Sequence, residues 1–139
     1  CCAASGSEHR RREHAAVEAV RSRVVYELPY PPTVNHYWRR VGERTLISCA
    51  GRAYRRRVME ALAEQRADEA EGSVAVIVHV QPPDRRRRDL DNILKALLDA
   101  LQHGGAYQDD SQIDHLEVIR GEPERPDGRV LVTVIERGV

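Results

Sequence analysis

The sequence predicts a mixed α/β (α+β) fold, one small mixed β-sheet with two helices packed on it, and three observations carry that prediction. Residues 73–80 read SVAVIVHV, a Val- and Ile-rich run of strand length that ends against Pro82 and Pro83, as a buried strand should. Residues 91–102 place Ile93, Leu94, Leu97, Leu98 and Leu101 on one face of a helix, with Gly104 and Gly105 as the stop. Further strand-like runs lie on both sides of this pair, so helices and strands must share one sheet.

Taken in order, residues 1–23 are polar and only weakly apolar, and are expected to form a flexible extension before a single domain over 24–139. Residues 24–28, VVYEL, predict a strand that the cluster Pro29, Pro31, Pro32 turns into an extended loop. That loop, residues 33–44, leads to a short apolar run at 45–47, read as a short strand. Ser48 is placed to cap a helix running to about Glu69, with Tyr54, Val58, Ala61, Leu62 and Gln65 near helical spacing. Past the strand at 73–80 and the helix at 91–102, residues 113–119 and 129–136 predict two strands. The intervening GEPERPDG suggests that they form a hairpin.

Composition narrows the function classes. No apolar stretch approaches the roughly 20 residues that span a bilayer, so no membrane partner is expected and the cytoplasm is the expected location. Three cysteines, Cys1, Cys2 and Cys49, have no metal-site spacing and are expected to stay reduced. The formal net charge is zero, but the distribution is not even. Between Trp38 and Arg57 the arginines 39, 40, 44, 52, 55, 56 and 57 face one acid, Glu43, and Arg85, Arg86, Arg87 and Arg88 form a second block. Such blocks suit phosphate. Of 22 basic residues only Lys95 is a lysine, which hints that its position wants a compact ammonium.

Two acidic clusters, Asp89 with Asp91 and Asp109 with Asp110, straddle the second helix and could meet if it packs back on the sheet. Carboxylates held together repel, so such a cluster persists mainly around a divalent cation, and oxygen donors without His or Cys select Mg²⁺ or Mn²⁺. The plainer alternative is that Asp91 caps the helix, Asp89 pairs with an arginine and Gln-Asp-Asp-Ser is an ordinary turn.

The run from Pro83 to Asn92 (PDRRRRDLDN), then Lys95, Asp99-Ala100 and the DDSQ of residues 109–112, resembles the signature of the RusA Holliday junction resolvases. Leu28, Pro29, Pro31, Pro32, Asn35 and Tyr37 resemble that family's proline-rich opening, and Ser48, Gly51, Ala53 and Tyr54 its first helix. The resemblance runs in order from about Tyr26 to Glu136. It implies a homodimer and assigns Asp89, Asp91 and Asp110 as carboxylates for Mg²⁺, with Mn²⁺ as a substitute. Lys95 is implied as an active-site base or phosphate contact. Nearby acids favour the protonated, phosphate-holding role.

Around these, the arginines 85–88 are expected to clamp phosphate, Arg88 reaching the site most readily, while Asn35 either contacts DNA or packs in the core or its loop. Asp109 and Asp99 are expected to support the ligands from behind, although Asp99 also suits a surface pair with Lys95. The implied activity is paired, symmetric nicking of four-way DNA junctions to leave 5′ phosphates in recombination and repair, in a bacterial, phage or prophage setting. A nearly two-fold substrate suits a two-fold dimer. A metal nuclease on other branched nucleic acids and a non-catalytic junction-binding protein remain the alternatives.

Overall fold

A computed structural model describes residues 20–137, so most of the expected N-terminal extension, residues 1–19, and with it Cys1 and Cys2, lies outside the described residues. The elements are β1 (Val20–Pro29), α1 (Val34–Tyr37), β2 (Trp38–Val41), β3 (Arg44–Ile47), α2 (Cys49–Glu64), β4 (Val74–Gln81), α3 (Asp91–Gly104), β5 (Ile113–Arg120) and β6 (Arg129–Arg137). A 3-10 turn, Asp110–Gln112, leads into β5. The mixed sheet with helices packed on it is therefore the architecture observed, with β1 starting at Val20 rather than at 24.

The sheet order is β1-β6-β4-β5, with β4 and β5 parallel and the other neighbours antiparallel. This corrects the expected hairpin of the last two strands, which do not pair. Burial explains the order. Val130, Val132, Thr133 and Val134 of β6 are buried, so both faces of that strand are covered and it belongs in the sheet interior. In β5 only Ile113 and Val118 are even half-buried, which suits an edge. The GEPERPDG segment instead crosses the end of β4: Gly121 N–H donates to the Val80 carbonyl (2.8 Å) and Glu124 N–H to that of Pro82 (2.8 Å).

Helices α2 and α3 pack on each other and on the face formed by Tyr26, Leu28, Val74, Val76, Val78 and Val80. In α3 the buried stripe is Ile93, Ala96, Leu97, Ala100 and Leu101, so two alanines complete the face that the leucines announced. In α2 it is Gly51, Tyr54, Val58 and Leu62. As expected, Ser48 caps α2, its hydroxyl accepting from Gly51 N–H (3.0 Å). The helix ends at Glu64 rather than near 69, because Arg66 takes a left-handed backbone (φ 55°) and Ala67 N–H donates back to the Leu62 carbonyl (2.9 Å). At this stop the Gln65 side chain ties the helix to β1. Its amide accepts from Glu27 N–H and donates to the Glu27 carbonyl, both at 2.8 Å, and so covers part of the outer edge of β1.

The short strand expected at 45–47 is β3, and the loop expected before it is structured too, supplying β2 as its partner in a separate two-stranded hairpin with Trp38 opposite Ile47 and Arg40 opposite Thr45. Both ends of it are pinned, since Ser48 N–H and Oγ–H each donate to the Tyr37 carbonyl at 2.9 Å. Gly51 makes this junction possible: a Cβ there would lie 2.5 Å from the Tyr37 carbonyl oxygen and 2.7 Å from Ile47 Cγ1. Gly51→Ala gains about 1 kcal/mol of helix propensity but adds an overpacking cost of roughly 2–3 kcal/mol against backbone that cannot move freely. Urea denaturation is expected to show a net loss of about 1–2 kcal/mol.

Candidate active site

Helix α3 organises the site. Its N-cap position is Leu90, in helical conformation and with no side-chain cap, so Asp91 is the first helical residue and not a cap. Asp89 uses its carbonyl to accept from Asn92 N–H (3.3 Å). Both carboxylates are exposed, and among the described residues neither has a hydrogen-bond or ion-pair partner. The plain readings of a helix cap and an arginine pair are therefore not what the structure uses them for. They lie at the N-terminal end of the helix. Lys95, one turn on, is exposed and lines a depression with Trp38 and Thr45.

Asp110 stands elsewhere. The capping box of the 3-10 turn is built by Asp109, which accepts from Ser111 N–H (3.0 Å), and by Gln112, whose side-chain oxygen accepts from Asp109 N–H (2.9 Å). Gln112 also donates to the carbonyls of Ala70 (3.1 Å) and Gly72 (2.8 Å), locking the turn. Asp109 thus has a structural task. Asp110 N–H donates to the Gln102 side chain (3.2 Å), so Asp110 lies beside the C-terminal part of α3. Partial burial, then Asp109 and Asp99, raise its pKa, while the Ser111 N–H and the bond to Asp110 hold Asp109 low.

From Asp91 to Gln102 the helix climbs about 16 Å, so the two acidic clusters sit toward opposite ends of α3 and do not converge within one chain. Among the described residues no three His, Cys, Asp or Glu side chains are close enough to hold a metal ion. The donor chemistry of Asp89, Asp91 and Asp110 fits a hard divalent cation, but one chain does not close the ligand set.

The arginine block is less free than a charge run implies. Arg88 donates to Asp84 (2.6 Å) and to the Arg86 carbonyl (3.2 Å), and its own carbonyl accepts from Arg120. Its guanidinium thus braces the loop, in place of the expected reach to the carboxylates. The bond from Arg88, then the Arg86 N–H, hold the Asp84 carboxyl down to about 2. Arg85 lies 3.8 Å from Glu122 and Arg86 3.8 Å from Asp84, in exposed pairs worth little. Arg85, Arg86 and Arg87 are all exposed, and with Asp89 the block lines a cavity that also includes Tyr30 and Arg120. Asn35 is exposed on α1.

Asp99 does not pair with Lys95. Its carboxylate accepts from the Tyr37 hydroxyl and from Arg55 Nε (2.8 Å) and Nη2 (2.7 Å), with His103 at 3.8 Å. Arg55 Nε also lies 2.9 Å from the Tyr37 oxygen, and its guanidinium stands 5.8 Å from that ring's centroid. Burial, reinforced by the bond to Asp99, pushes the Tyr37 phenol up, so it remains a neutral donor. This network joins α1, α2 and α3. Sequence reasoning missed Arg55, because its partners lie 18 and 44 positions away.

Comparison with known proteins gives the family. Residues 29–135 match the family model described as Endodeoxyribonuclease RusA. The chain is 44% identical over 112 residues to the crossover junction endodeoxyribonuclease rusA of Enterobacteria phage HK97, covering 80% of this chain and 92% of that protein. Over the same shares it is 39% identical to the RusA protein of Shigella sonnei and 38% identical to that of Escherichia coli, both named crossover junction endodeoxyribonucleases. Dependence on a divalent metal belongs to that family. No described helix is long and apolar enough to cross a membrane. On the matched span and these identities, the chain is a member of the RusA endodeoxyribonuclease family.

Proposed function

We propose that this protein is a Mg²⁺-dependent, structure-selective endodeoxyribonuclease that resolves four-way DNA junctions by paired nicks, acting as a homodimer in the cytoplasm of a bacterial cell, from a bacterial or phage gene. The observation that carries the reading is the pair of carboxylates, Asp89 and Asp91, without a partner among the described residues, at the N-terminus of α3 beside an arginine-lined cavity and one turn from Lys95. A DNA-binding protein without catalysis has no use for bare carboxylates at a phosphate surface, where they weaken binding.

Asp89 and Asp91 with Asp110 are the residues that would hold the cation, and Mn²⁺ would substitute for Mg²⁺. When bound, it supplies Lewis-acid stabilisation of the charge that develops on the attacked phosphate and leaving oxygen. Lys95 holds the scissile phosphate as a cation, and the exposed arginines of residues 85–87 and Asn35 hold neighbouring parts of the backbone. Arg88 and Asp109 fix the loops that carry these groups. Because Asp110 lies toward the far end of α3 from Asp89 and Asp91, the ligand set closes when Asp110 comes from a second copy related by a two-fold axis. That symmetry matches two nicks in strands of like polarity.

The test is cleavage of a labelled four-way junction and of its linear duplex arms, with Mg²⁺ and with EDTA. Paired nicks in the junction alone, requiring Mg²⁺ and leaving 5′ phosphates, are expected. Equal cutting of flaps or RNA branches would favour the broader branched-nucleic-acid nuclease, and tight binding without cleavage the non-catalytic reading.

A further inference from the structure

We infer that the groove between the β2–β3 hairpin and α3 is a phosphate-binding channel in which Arg40 holds the backbone next to the phosphate at Lys95. The inference rests on the nuclease reading and names a further residue and surface for it. Side chains alternate across a strand, and directly paired residues share a face, so Trp38, Arg40, Thr45 and Ile47 point one way while Arg39, Val41, Arg44 and Leu46 point the other. Trp38 and Ile47 pack against the core, which makes theirs the inward face. Trp38 and Thr45 line the same depression as Lys95. Arg40 is directly across from Thr45 and one strand repeat, about 7 Å, beyond Trp38, so it stands at the continuation of that depression.

Three features make this a site for a polyanion rather than a solvated charge. Arg40 is exposed, and among the described residues no carboxylate pairs with it. The hairpin cannot swing away freely, because Tyr37 at its root bonds to Asp99, one turn beyond Lys95 on the same helix, and its other end is tied by Ser48 to the Tyr37 carbonyl. Finally, the two cations of the channel come from different elements held in a fixed relation, as contact with successive phosphates of one strand requires. The outward arginines, Arg39 and Arg44, share their face with exposed Val41 (46%) and Leu46 (42%) and lie away from Lys95.

The experiment is fluorescence anisotropy of a labelled four-way junction, in EDTA to prevent cleavage, across a KCl series, with the full chain and its Arg40→Ala, Arg40→Lys and Arg44→Ala variants. Each phosphate contact contributes about 0.9 to the slope of log K against log salt. Arg40→Ala is expected to lower that slope by about one, Arg40→Lys to retain it, and Arg44→Ala to leave it unchanged. An unchanged slope in Arg40→Ala, or an equal fall in Arg44→Ala, overturns the channel. Failure of the wild-type chain to bind the junction would instead sink the nuclease reading.

Discussion

Asp89→Asn is expected to cut four-way junctions about a thousandfold more slowly than the wild type while binding them at least as tightly and unfolding at the same temperature. The scale is that of removing one fixed electrostatic group from the charge that develops in a transition state. Binding survives because the lost charge is one that repels phosphate. Stability survives because Asp89 is exposed and has no partner among the described residues, so the substitution falls within about 0.5 kcal/mol. Single-turnover cleavage, junction affinity in EDTA and a melting curve test the three parts separately. A fall of less than tenfold in rate would remove Asp89 from the site.

Asp99→Ala should behave in the opposite way, with its largest effect on folding. The Arg55 and Asp99 side chains are only 22% and 23% exposed, and the Tyr37 hydroxyl depends on the same carboxylate. Its removal leaves a half-buried guanidinium and a phenol without their acceptor, a cost of about 2–3 kcal/mol. For a chain of this size that lowers Tm by roughly 8 °C. Asp99→Asn keeps an acceptor and should lose less than half as much. An unchanged Tm in Asp99→Ala would mean that the network does not hold α1, α2 and α3 together.

How much of this was legible in the sequence depended on how local each signal is. Helix α3 and strand β4 could be read because their apolar periods lie within single segments, and the Ser48 cap because capping involves neighbours. The strand order was misread for the same reason: GEPERPDG is a good turn signal locally, but the burial of β6 on both faces decides where that strand goes. Of the β2–β3 hairpin only the short strand at 45–47 was legible, from its apolar run; β2 escaped because residues 39–41 are all exposed and carry no apolar alternation. For the candidate site, Asp89, Asp91, Lys95 and Asp110 could be proposed from the motif, yet no spacing along the chain revealed that Asp110 lies toward the other end of α3 from Asp89 and Asp91. The Arg88–Asp84 pair was within reach, since the two stand four residues apart. The bonds among Tyr37, Arg55 and Asp99 were not, because only the tertiary fold brings them together.

Mixing Asp89→Asn with Asp110→Asn under conditions of subunit exchange tests the central claim, that two chains complete each catalytic site. Each variant alone is expected to be inactive. In a mixed dimer one site carries both lesions, and the other combines the wild-type Asp89 of one chain with the wild-type Asp110 of its partner. Half the dimers would then hold one working site, and nicking should return to about a quarter of the wild-type rate, as single rather than paired cuts. No recovery in a mixture shown to contain mixed dimers would contradict the shared site and return all three carboxylates to one chain.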